Sequence, residues 1–296
     1  MFVNDSLQPY LRLGAIDQES YTDWVEQRYA AQNSKIYSEH KGVRSLLKRK
    51  AADSLALSRE IWELELISAE TGDVKAHLLH VANKVRKDTI ITCLCDANST
   101  ELLLALQGCG ALVRGANVSW GFTKSILSSV DLAHESNSVL MTNDLRESFQ
   151  ACVRSSFSGY RSHYHTDNSL APAASEVYIS GICASVDSDT EAVVTLDSTN
   201  EVVAFTTIDP HEHKEVNSVL GANLVGGATD SGVSTGAQRG GWYAKNIRAT
   251  LSRVLTNESN WYVFGTAANN FAIQKTWIKL GLYFPIRFAY RIHWIV

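Results

Sequence analysis

The chain has 296 residues, of which 45% are hydrophobic and 20% are charged, and its formal net charge is −4. This length accommodates two domains of about 150 residues each, and the composition is that of a globular protein. The small negative charge, without a long basic run, argues against a nucleic-acid partner. No apolar run approaches the roughly 20 residues that a membrane-spanning helix needs, so a membrane partner is not expected either.

The cysteines and the first residues bear on the cellular compartment. The cysteine count of five is odd, no set of them has the spacing of a zinc site, and Cys93 and Cys95 alternate along an apolar run. The first ten residues, MFVNDSLQPY, lack the charged start and apolar centre of a signal peptide. We therefore expect reduced thiols in a cytoplasmic protein.

The first half alternates between helix and strand patterns. Helical periodicity predicts helices, and alternating or continuous apolar runs predict strands. The predicted helices cover residues 18–32, 42–58 and 73–87, and the predicted strands cover residues 61–69, 89–97 and 116–122. Before the third strand, Asn98 or Ser99 caps a short helix that Gly108 and Gly110 end.

The second half repeats this order. The predicted elements are a capped helix (169–186), a hairpin (191–209), a glycine-rich strand region (222–234), a helix (242–257), a strand (260–267), a helix (272–281) and two final strands (282–296). Residues 91–120 and 262–294 both run strand, polar turn with Asn, helix, glycine, strand, which we interpret as a divergent internal duplication. The predicted domains are residues 1–150 and 151–296.

Two motifs in the second half indicate a binding site. The first is a glycine-rich turn between a strand and a helix, VSTGAQRGGWYAKNI (233–247), whose N–H groups and helix start suit a phosphate or pyrophosphate. It is neither the dinucleotide fingerprint nor a P-loop. The second motif, about 35 residues on, places Thr266, Asn269 and Asn270 between a strand and a helix that closes on Gly281.

In order and spacing, these motifs resemble the GNAT superfamily of acetyl-CoA-dependent N-acetyltransferases. The pyrophosphate loop of that family, Gln/Arg-x-x-Gly-x-Gly/Ala, is matched by residues 238–243, and its Asn-plus-helix motif by Asn270 and residues 273–282. The resemblance covers residues 169–296. It implies an α/β (α+β) fold of two GNAT-like domains, with mixed twisted sheets flanked by helices and an incomplete or degenerate N-terminal copy. It also implies acetyl-CoA as co-substrate and direct attack by a small-molecule amine.

The resemblance assigns residues to the site. Those implied for the cofactor are Val233, Ser234, Gln238, Arg239, Gly240, Gly241, Trp242, Tyr243, Ala244, Thr266, Asn270 and Trp277. Backbone N–H groups of residues 229–233, freed by Gly226, Gly227 and Gly232, are expected to polarise the thioester. Asp230 is the first candidate for general base, and Tyr290 and His293 are candidates beside the acceptor.

Two residues depart from the family pattern. Tyr243 stands where the loop ends on a small residue; an alternative register runs from Arg239 to Ala244, but it places Trp242 on the middle glycine. Trp277 stands where many members carry a tyrosine that protonates the departing thiolate, and an indole N–H cannot serve as that acid. Another group, or water, must then supply the proton.

The acceptor is left open by the sequence. Residues 160–182 and the RIHWIV end resemble the dTDP-fucosamine acetyltransferase family, which implies an amino-sugar nucleotide as acceptor; an amino acid or peptide amine and a non-catalytic CoA-binding protein are the alternatives. Residues 163–165 either approach the acceptor or form a linker. Final strands often pair between subunits in this fold, which implies a homodimer. His211 and His213 are two residues apart without an evident third ligand, so we expect a polar loop and no metal.

Overall fold

The computed structural model describes residues 2–5, 11–12, 14, 17–30, 35–69, 71–123, 137–188, 190–208, 228–255, 261–282 and 285–296. In these ranges the helices are α1 (Gln18–Ala30), α2 (Ala51–Leu57), α3 (Val74–Ala82), α4 (Thr100–Gly108), α5 (Arg146–Phe157), α6 (Ala174–Ser188), α7 (Trp242–Leu255) and α8 (Phe271–Lys279). The strands are β1 (Phe2–Asn4), β2 (Lys35–His40), β3 (Val43–Arg49), β4 (Ile61–Ala69), β5 (Ile90–Asp96), β6 (Leu112–Thr123), β7 (Ser138–Leu140), β8 (Glu191–Leu196), β9 (Val202–Ile208), β10 (Ala228–Val233), β11 (Trp261–Ala267) and β12 (Pro285–Ile295). No helix in the described ranges is long and apolar enough to cross a bilayer.

The strands form two sheets. The first has the order β11-β6-β12-β5-β4-β3-β2, with β1 beside β4, and the second has the order β10-β9-β8-β7. The pairing is antiparallel except between β4 and β5, which run parallel from Ile61 with Ile90 to Glu63 with Thr92, because α3 forms the crossover between them. The two sheets meet at β10 and β11, which are consecutive along the chain but belong to different sheets.

The predicted duplication is confirmed in element order and length. Strands β5 and β11 begin at Ile90 and Trp261, and helices α4 and α8 begin at Thr100 and Phe271. Both helices are followed by a glycine with positive φ, Gly110 at +85° and Gly281 at +84°. The glycines end both helices because no other residue adopts that conformation so readily.

The two repeats exchange strands. Strand β12, from the second repeat, lies between β5 and β6 of the first, and β11 pairs with β6. The end of the chain therefore completes the sheet of its first half. Because β12 is paired on both edges, it cannot pair with a second subunit, which removes the reason given above for a homodimer. The boundary at residue 150 stays a prediction; β7, just before it, pairs with β8 of the second sheet.

Two element predictions are wrong. Residues 42–58 form strand β3 and the short helix α2 rather than one helix. Lys41 (φ +50°) and Gly42 (φ +74°) make a two-residue turn from β2 into β3, which fixes a hairpin. The apolar residues Val43, Leu46 and Leu47 are all buried by the sheet, although their i, i+3, i+4 spacing is that of a helix. The described end of the chain is one strand, β12, rather than two.

The helices bury both faces of the first sheet. On one face, α3 and α4 cover the first repeat, and α7 and α8 cover the β6–β11 end. On the other face, Tyr164 and Leu170, which follow α5, pack against Ile61 and Ile90. The segment between α5 and α6 therefore lies against the first sheet, close to β12.

Candidate functional site

Strand β10 carries a bulge at the opening between the two sheets. Ala228 pairs with Ile208 and Ser231 with Thr206, so Thr229 and Asp230 both lie opposite Thr207. The Thr207 hydroxyl holds the bulge: it accepts from the Asp230 N–H at 3.0 Å and donates to the Asp230 carbonyl at 3.2 Å. The bulge redirects the Asp230 side chain from the regular alternation of the strand.

The Asp230 carboxylate has no hydrogen-bond donor or cationic partner in the part of the chain that the structure describes. It is half-buried, and this burial raises its pKa to about 6. An unpaired carboxylate whose pKa lies near neutrality is suited to accept a proton.

The loop after β10 leads directly into the N-terminus of α7. Ser234 donates its N–H to the Val203 carbonyl at 2.9 Å, which fixes the loop to β9. Val233, at the end of β10, pairs with Ala204. Gly241 has φ +73°, and α7 begins at the next residue. Gln238, Arg239 and Gly240 are exposed, and the first N–H groups of α7, at Trp242, Tyr243 and Ala244, have no partner within the helix.

The bulky residue Trp242 packs against its own loop. The Trp242 indole folds back over Gly240, where a Cβ would come within 2.3 Å of its Nε1 atom. Lys245 Nζ lies 4.6 Å from the centre of the same ring. Gly240 is therefore required by the packing of Trp242, while the helix start remains bordered by the cations of Arg239 and Lys245.

Tyr243 and Trp277 join α7 to α8. Trp277 Nε1 donates to the Tyr243 hydroxyl at 3.1 Å, and the Ser231 side chain of β10 also hydrogen-bonds that phenol. Burial raises the pKa of Tyr243 to about 12, so its hydroxyl stays protonated at neutral pH. Because the Tyr243 oxygen accepts the hydrogen bond from the indole, the proton of the Tyr243 hydroxyl remains available for donation to another group.

Trp277 occupies a core position. It is 3% exposed and packs against Trp120, with ring centres 5.8 Å apart. Leu106 is the matching residue of the first repeat: the Leu106 carbonyl accepts the N–H of the residue five positions on, as the Trp277 carbonyl does. At the position where the family pattern has a tyrosine, the Trp277 indole therefore packs in the core.

Replacing Tyr243 by phenylalanine should destabilise the fold. The Trp277 indole N–H would lose its acceptor in a buried place, which costs about 1–3 kcal/mol in the free energy of unfolding by urea. The control is Tyr37→Phe, whose hydroxyl bonds the exposed carboxylate of Glu39 and should cost under about 0.5 kcal/mol. Equal losses in the two variants would contradict the assigned bond.

The helix cap of α8 differs from the prediction. Asn270, not Asn269, occupies the N-cap position, and its side chain makes no cap hydrogen bond. Thr266 is half-buried on β11, where it pairs with Val118. Among the described residues the Asn270 side-chain amide has no hydrogen-bond partner, and it lies at the start of α8, where a ligand between β10 and β11 could use it.

Tyr290 and His293 lie on opposite faces of β12 and so cannot border one site together. Tyr290 packs against the hydrophobic core of the first repeat with Ile292. His293 is buried, its Nε2 atom lies 2.7 Å from His163 Nδ1, and burial lowers its pKa to about 4. A catalytic role of either residue stays a prediction, and the surroundings of both are those of structural residues.

The segment after α5 contacts the first sheet closely. The Tyr164 hydroxyl donates to Asp53 at 2.6 Å, and His165 bonds Ser162 and Ser175. These contacts fix the segment through side chains rather than leave it as a linker. Gly232 has a packing role as well, because a Cβ there would come within 2.8 Å of Ser156 and Phe205. Gly226 and Gly227 lie outside the described residues.

Sequence reasoning missed three residues, Tyr160, Arg291 and Asn117. Burial raises the pKa of Tyr160, the positive charge of Arg291 lowers it and the negative charge of Asp230 raises it, so both charges act on this phenol. When the Asn117 amide is oriented so that both its nitrogen and its oxygen have hydrogen-bond partners, the oxygen accepts from Arg291 Nη2 at 3.0 Å. The alternation of β12, which puts Arg291 on the face opposite Tyr290, was the signal that could have found it.

Comparisons with known proteins identify the architecture. No family model and no curated protein matches the chain. Solved structures do: a tandem GNAT protein from the clavulanic acid biosynthesis pathway matches with TM-score 0.52 and 12% identity, over 95% of this chain and 96% of that one. The chain has the tandem GNAT fold.

Two further GNAT structures agree. A GCN5-related N-acetyltransferase from Kribbella flavida matches with TM-score 0.54 and 13% identity, over 93% of this chain and 94% of that one. A glucosamine N-acetyltransferase region of a fungal β-N-acetylglucosaminidase matches with TM-score 0.61 and 12% identity, over 99% of this chain and 38% of that one. At such identities the likeness establishes the fold, and the predicted fold class is confirmed.

The first GNAT-like half has lost its opening. Strand β1 fills the position between β4 and β5, where Asn4 donates to the Leu94 carbonyl at 3.2 Å and accepts from the Asp96 N–H at 2.8 Å. The α3 N-terminus is also occupied, because the Asp73 carboxylate accepts from the Ala76 N–H at 2.9 Å. The backbone groups that a ligand would bind in this half are therefore already hydrogen-bonded to side chains of the protein.

The described residues hold no cluster of three or more potential metal-ligating side chains. The DPHEHKE segment with His211 and His213 lies outside the described residues. All five cysteines are free; Cys93 and Cys95 are buried in the first core, and burial raises the pKa of Cys95 to about 12. These thiols are packing residues rather than reactive groups.

Proposed function

We propose that the chain is an N-acetyltransferase that moves an acetyl group from acetyl-CoA to the amine of a small molecule. The observation that carries the proposal is the opening between β10 and β11, with the Asp230 bulge on one side and the unpaired N–H groups of α7 at its end. In a chain with the tandem GNAT fold, this combination supports acyl transfer better than binding alone, because an unpaired carboxylate with a raised pKa has no structural use there.

The residues around the opening fit acetyl-CoA. The N-terminus of α7, Arg239 and Lys245 would hold the pyrophosphate, since helix N–H groups and cations both favour anions. The unpartnered Asn270 amide would contact the pantetheine arm. When bound, acetyl-CoA supplies a thioester whose C–S bond breaks as the amine nitrogen forms the C–N bond.

The protein's own residues would move the proton. Asp230 accepts the proton that the amine gives up on becoming a nucleophile, which requires the ionised carboxylate. The Tyr243 hydroxyl, held by Trp277 and Ser231, donates a proton to the leaving sulfur. The proton that Asp230 accepted is then released to solvent, and solvent returns a proton to Tyr243. Tyr243 thus takes over the role that the tyrosine at the position of Trp277 has in other members.

For the acceptor, an amino-sugar nucleotide of the dTDP-4-amino-sugar type is the first candidate. It is supported by the likeness to a structure described as a glucosamine N-acetyltransferase region, which concerns the fold alone. An amino acid or peptide amine is the second candidate, since Asp230 would interact with the amine and sets no requirement for the rest of the acceptor. A cytoplasmic location and a homodimer stay part of the proposal, and the homodimer would have to form through a surface other than the edges of β12.

The experiment is a thiol-release assay with acetyl-CoA and a panel of amino-sugar nucleotides, amino acids and peptides, run beside calorimetric titration with acetyl-CoA. The proposal expects micromolar to millimolar binding and thiol release with one class of amine. Absence of acetyl-CoA binding at millimolar ligand would overturn it. Binding without release for any amine would favour a non-catalytic CoA-binding protein.

The stoichiometry should be one acetyl-CoA per chain. Of the two openings formed by described strands, the one between β10 and β11 is left for a ligand, because β1 and Asn4 fill the equivalent opening of the first half. Calorimetric titration of the full chain should give a site number near one. A site number near two that persisted in a variant altered at the opening between β10 and β11 would contradict the assignment of β1 as a filling strand.

A further inference from the structure

On the face that bears Arg291, the segment around His163 and Tyr164 covers only part of the first sheet, and a groove stays exposed toward β6 and β11. Gly115 in β6 and Gly265 in β11 are exposed although β6 is an interior strand of an eight-stranded sheet. Gly265 pairs with Ser119, and a Cβ at Gly115 would lie 3.9 Å from Arg291 Cβ. We call this surface the acceptor groove: Gly115, Asn117, Ser119, Gly265 and Arg291 form its floor.

Arg291 differs from the other arginines near this part of the sheet. Arg287 is buried and pairs with Asp96 at 3.2 Å, and Arg114 pairs with Asp167 at 3.5 Å. Arg291 is half-buried, yet none of the described carboxylates lies within 4.0 Å of it, and within the described residues the hydrogen-bond partner of its side chain is the neutral Asn117 amide. A partly buried guanidinium with unused donors is costly unless an anion completes it.

The groups that surround Arg291 do not neutralise it. Its positive charge lowers the pKa of His163, which burial already keeps neutral, and it also acts on the tyrosines Tyr160 and Tyr178. The charges of Asp230 and Arg291 both act on the Tyr160 phenol, and the Asp230 carboxylate lies beyond salt-bridge distance, more than 4.0 Å, from the Arg291 guanidinium. This part of the molecule therefore presents a positive group and a negative group that do not pair with each other.

We propose that Arg291 is the anion-binding residue of the acceptor groove, so that the acceptor is an amine that also carries a carboxylate or a phosphate. This inference rests on the proposed function, and it narrows the substrate class. The amine end meets Asp230, and the anionic end receives two N–H bonds from the planar guanidinium, which matches both carboxylate and phosphate geometry. An amino-sugar nucleotide would supply the phosphate, and an amino acid would supply the carboxylate.

The test compares amines that differ only in charge. The wild type, Arg291→Gln and Arg291→Lys are assayed for thiol release with ω-amino acids, ω-aminoalkyl phosphates and ω-amino alcohols of equal chain length. We expect the wild type to prefer an anionic amine over the alcohol by about 10- to 100-fold in kcat/KM. Arg291→Gln should lose that preference and leave the alcohol unchanged, and Arg291→Lys should keep part of it. The better of the two anions identifies the source of the charge.

A matched control and a second readout separate the outcomes. Arg86→Gln removes the same charge from an 88% exposed side chain and should change nothing. Transfer without a preference for anions, or an equal loss for acids and alcohols in Arg291→Gln, overturns the inference and leaves the proposed function standing. If no amine releases thiol, the proposed function fails, and calorimetry with 6-aminohexanoate and 2-aminoethyl phosphate decides the inference: binding lost in Arg291→Gln supports it, and equal binding overturns it.

Discussion

Asp230→Asn lowers kcat/KM for the amine by about 10²- to 10⁴-fold, the range expected for loss of a general base, and leaves the affinity for acetyl-CoA unchanged. The carboxylate lies on the β10 bulge without a donor, so asparagine of the same shape disturbs no contact. The measurement is thiol release at saturating acetyl-CoA, with Asp23→Asn as the charge-matched control because Asp23 is exposed on α1. An equal effect in both variants would contradict the role of Asp230.

The pH dependence follows from the same carboxylate. Burial raises the pKa of Asp230 to about 6, so the active, ionised form appears as the pH rises through about 6. The wild type should therefore gain activity across this range, and Asp230→Asn should show a residual rate without that step. A wild-type profile that is flat between pH 5 and pH 7 would contradict the assignment.

Stability gives a check that does not require the substrate. A carboxyl group whose folded pKa exceeds the unfolded value of about 3.9 destabilises the folded state once the pH rises above that value, and the full cost is reached above about 6. Asp230→Asn removes this cost. The melting temperature of the variant should exceed that of the wild type at pH 7, and the difference should disappear at pH 3.5. The opposite sign would mean that Asp230 has a stabilising partner.

Ala244→Glu weakens acetyl-CoA binding by about 100-fold while the fold remains intact. Ala244 lies in the first turn of α7, where a glutamate stabilises a helix through the helix dipole. The same carboxylate would lie at the proposed pyrophosphate position, and two unit charges about 4 Å apart repel by about 4 kcal/mol at an effective dielectric constant of about 20. A 100-fold loss corresponds to about 2.8 kcal/mol, within that repulsion.

Ser252→Glu is the control, since it adds the same charge to the exposed side of α7, about 12 Å further along the helix axis. Calorimetry should show normal acetyl-CoA affinity in this variant. If Ala244→Glu bound acetyl-CoA as well as Ser252→Glu did, the pyrophosphate would lie elsewhere.

The elements with strong local signals could be predicted from the sequence. The continuous apolar run of β5 and the capped α3 appear close to where they were predicted, because burial on both faces and a cap residue act locally. The helix predicted over residues 42–58 failed because the Lys41–Gly42 turn directs the chain into a hairpin, which then decides how Leu46 and Leu47 are buried. Tertiary packing outweighed the apolar spacing there.

The candidate site was predictable where a motif is continuous in sequence and not where it depends on strand exchange. The loop 238–243 precedes α7 and Asn270 begins α8, as the order of the motifs predicted, and their role in binding stays a prediction. Tyr290 and His293 were both placed beside the acceptor, although strand alternation puts residues three apart on opposite faces, and the sequence does not say which face borders the site. Arg291 was missed because its partners, Asn117 and Tyr160, come from distant parts of the chain and are brought together only by the insertion of β12 between β5 and β6.

The central claim is that acetyl-CoA binds between β10 and β11, and hydrogen exchange with and without acetyl-CoA tests it most directly. Millimolar acetyl-CoA should protect backbone amides in residues 229–244 and 266–277, and it should leave residues 64–76 of the filled first opening unchanged. Protection of residues 64–76 alone, or no protection anywhere, would contradict the account.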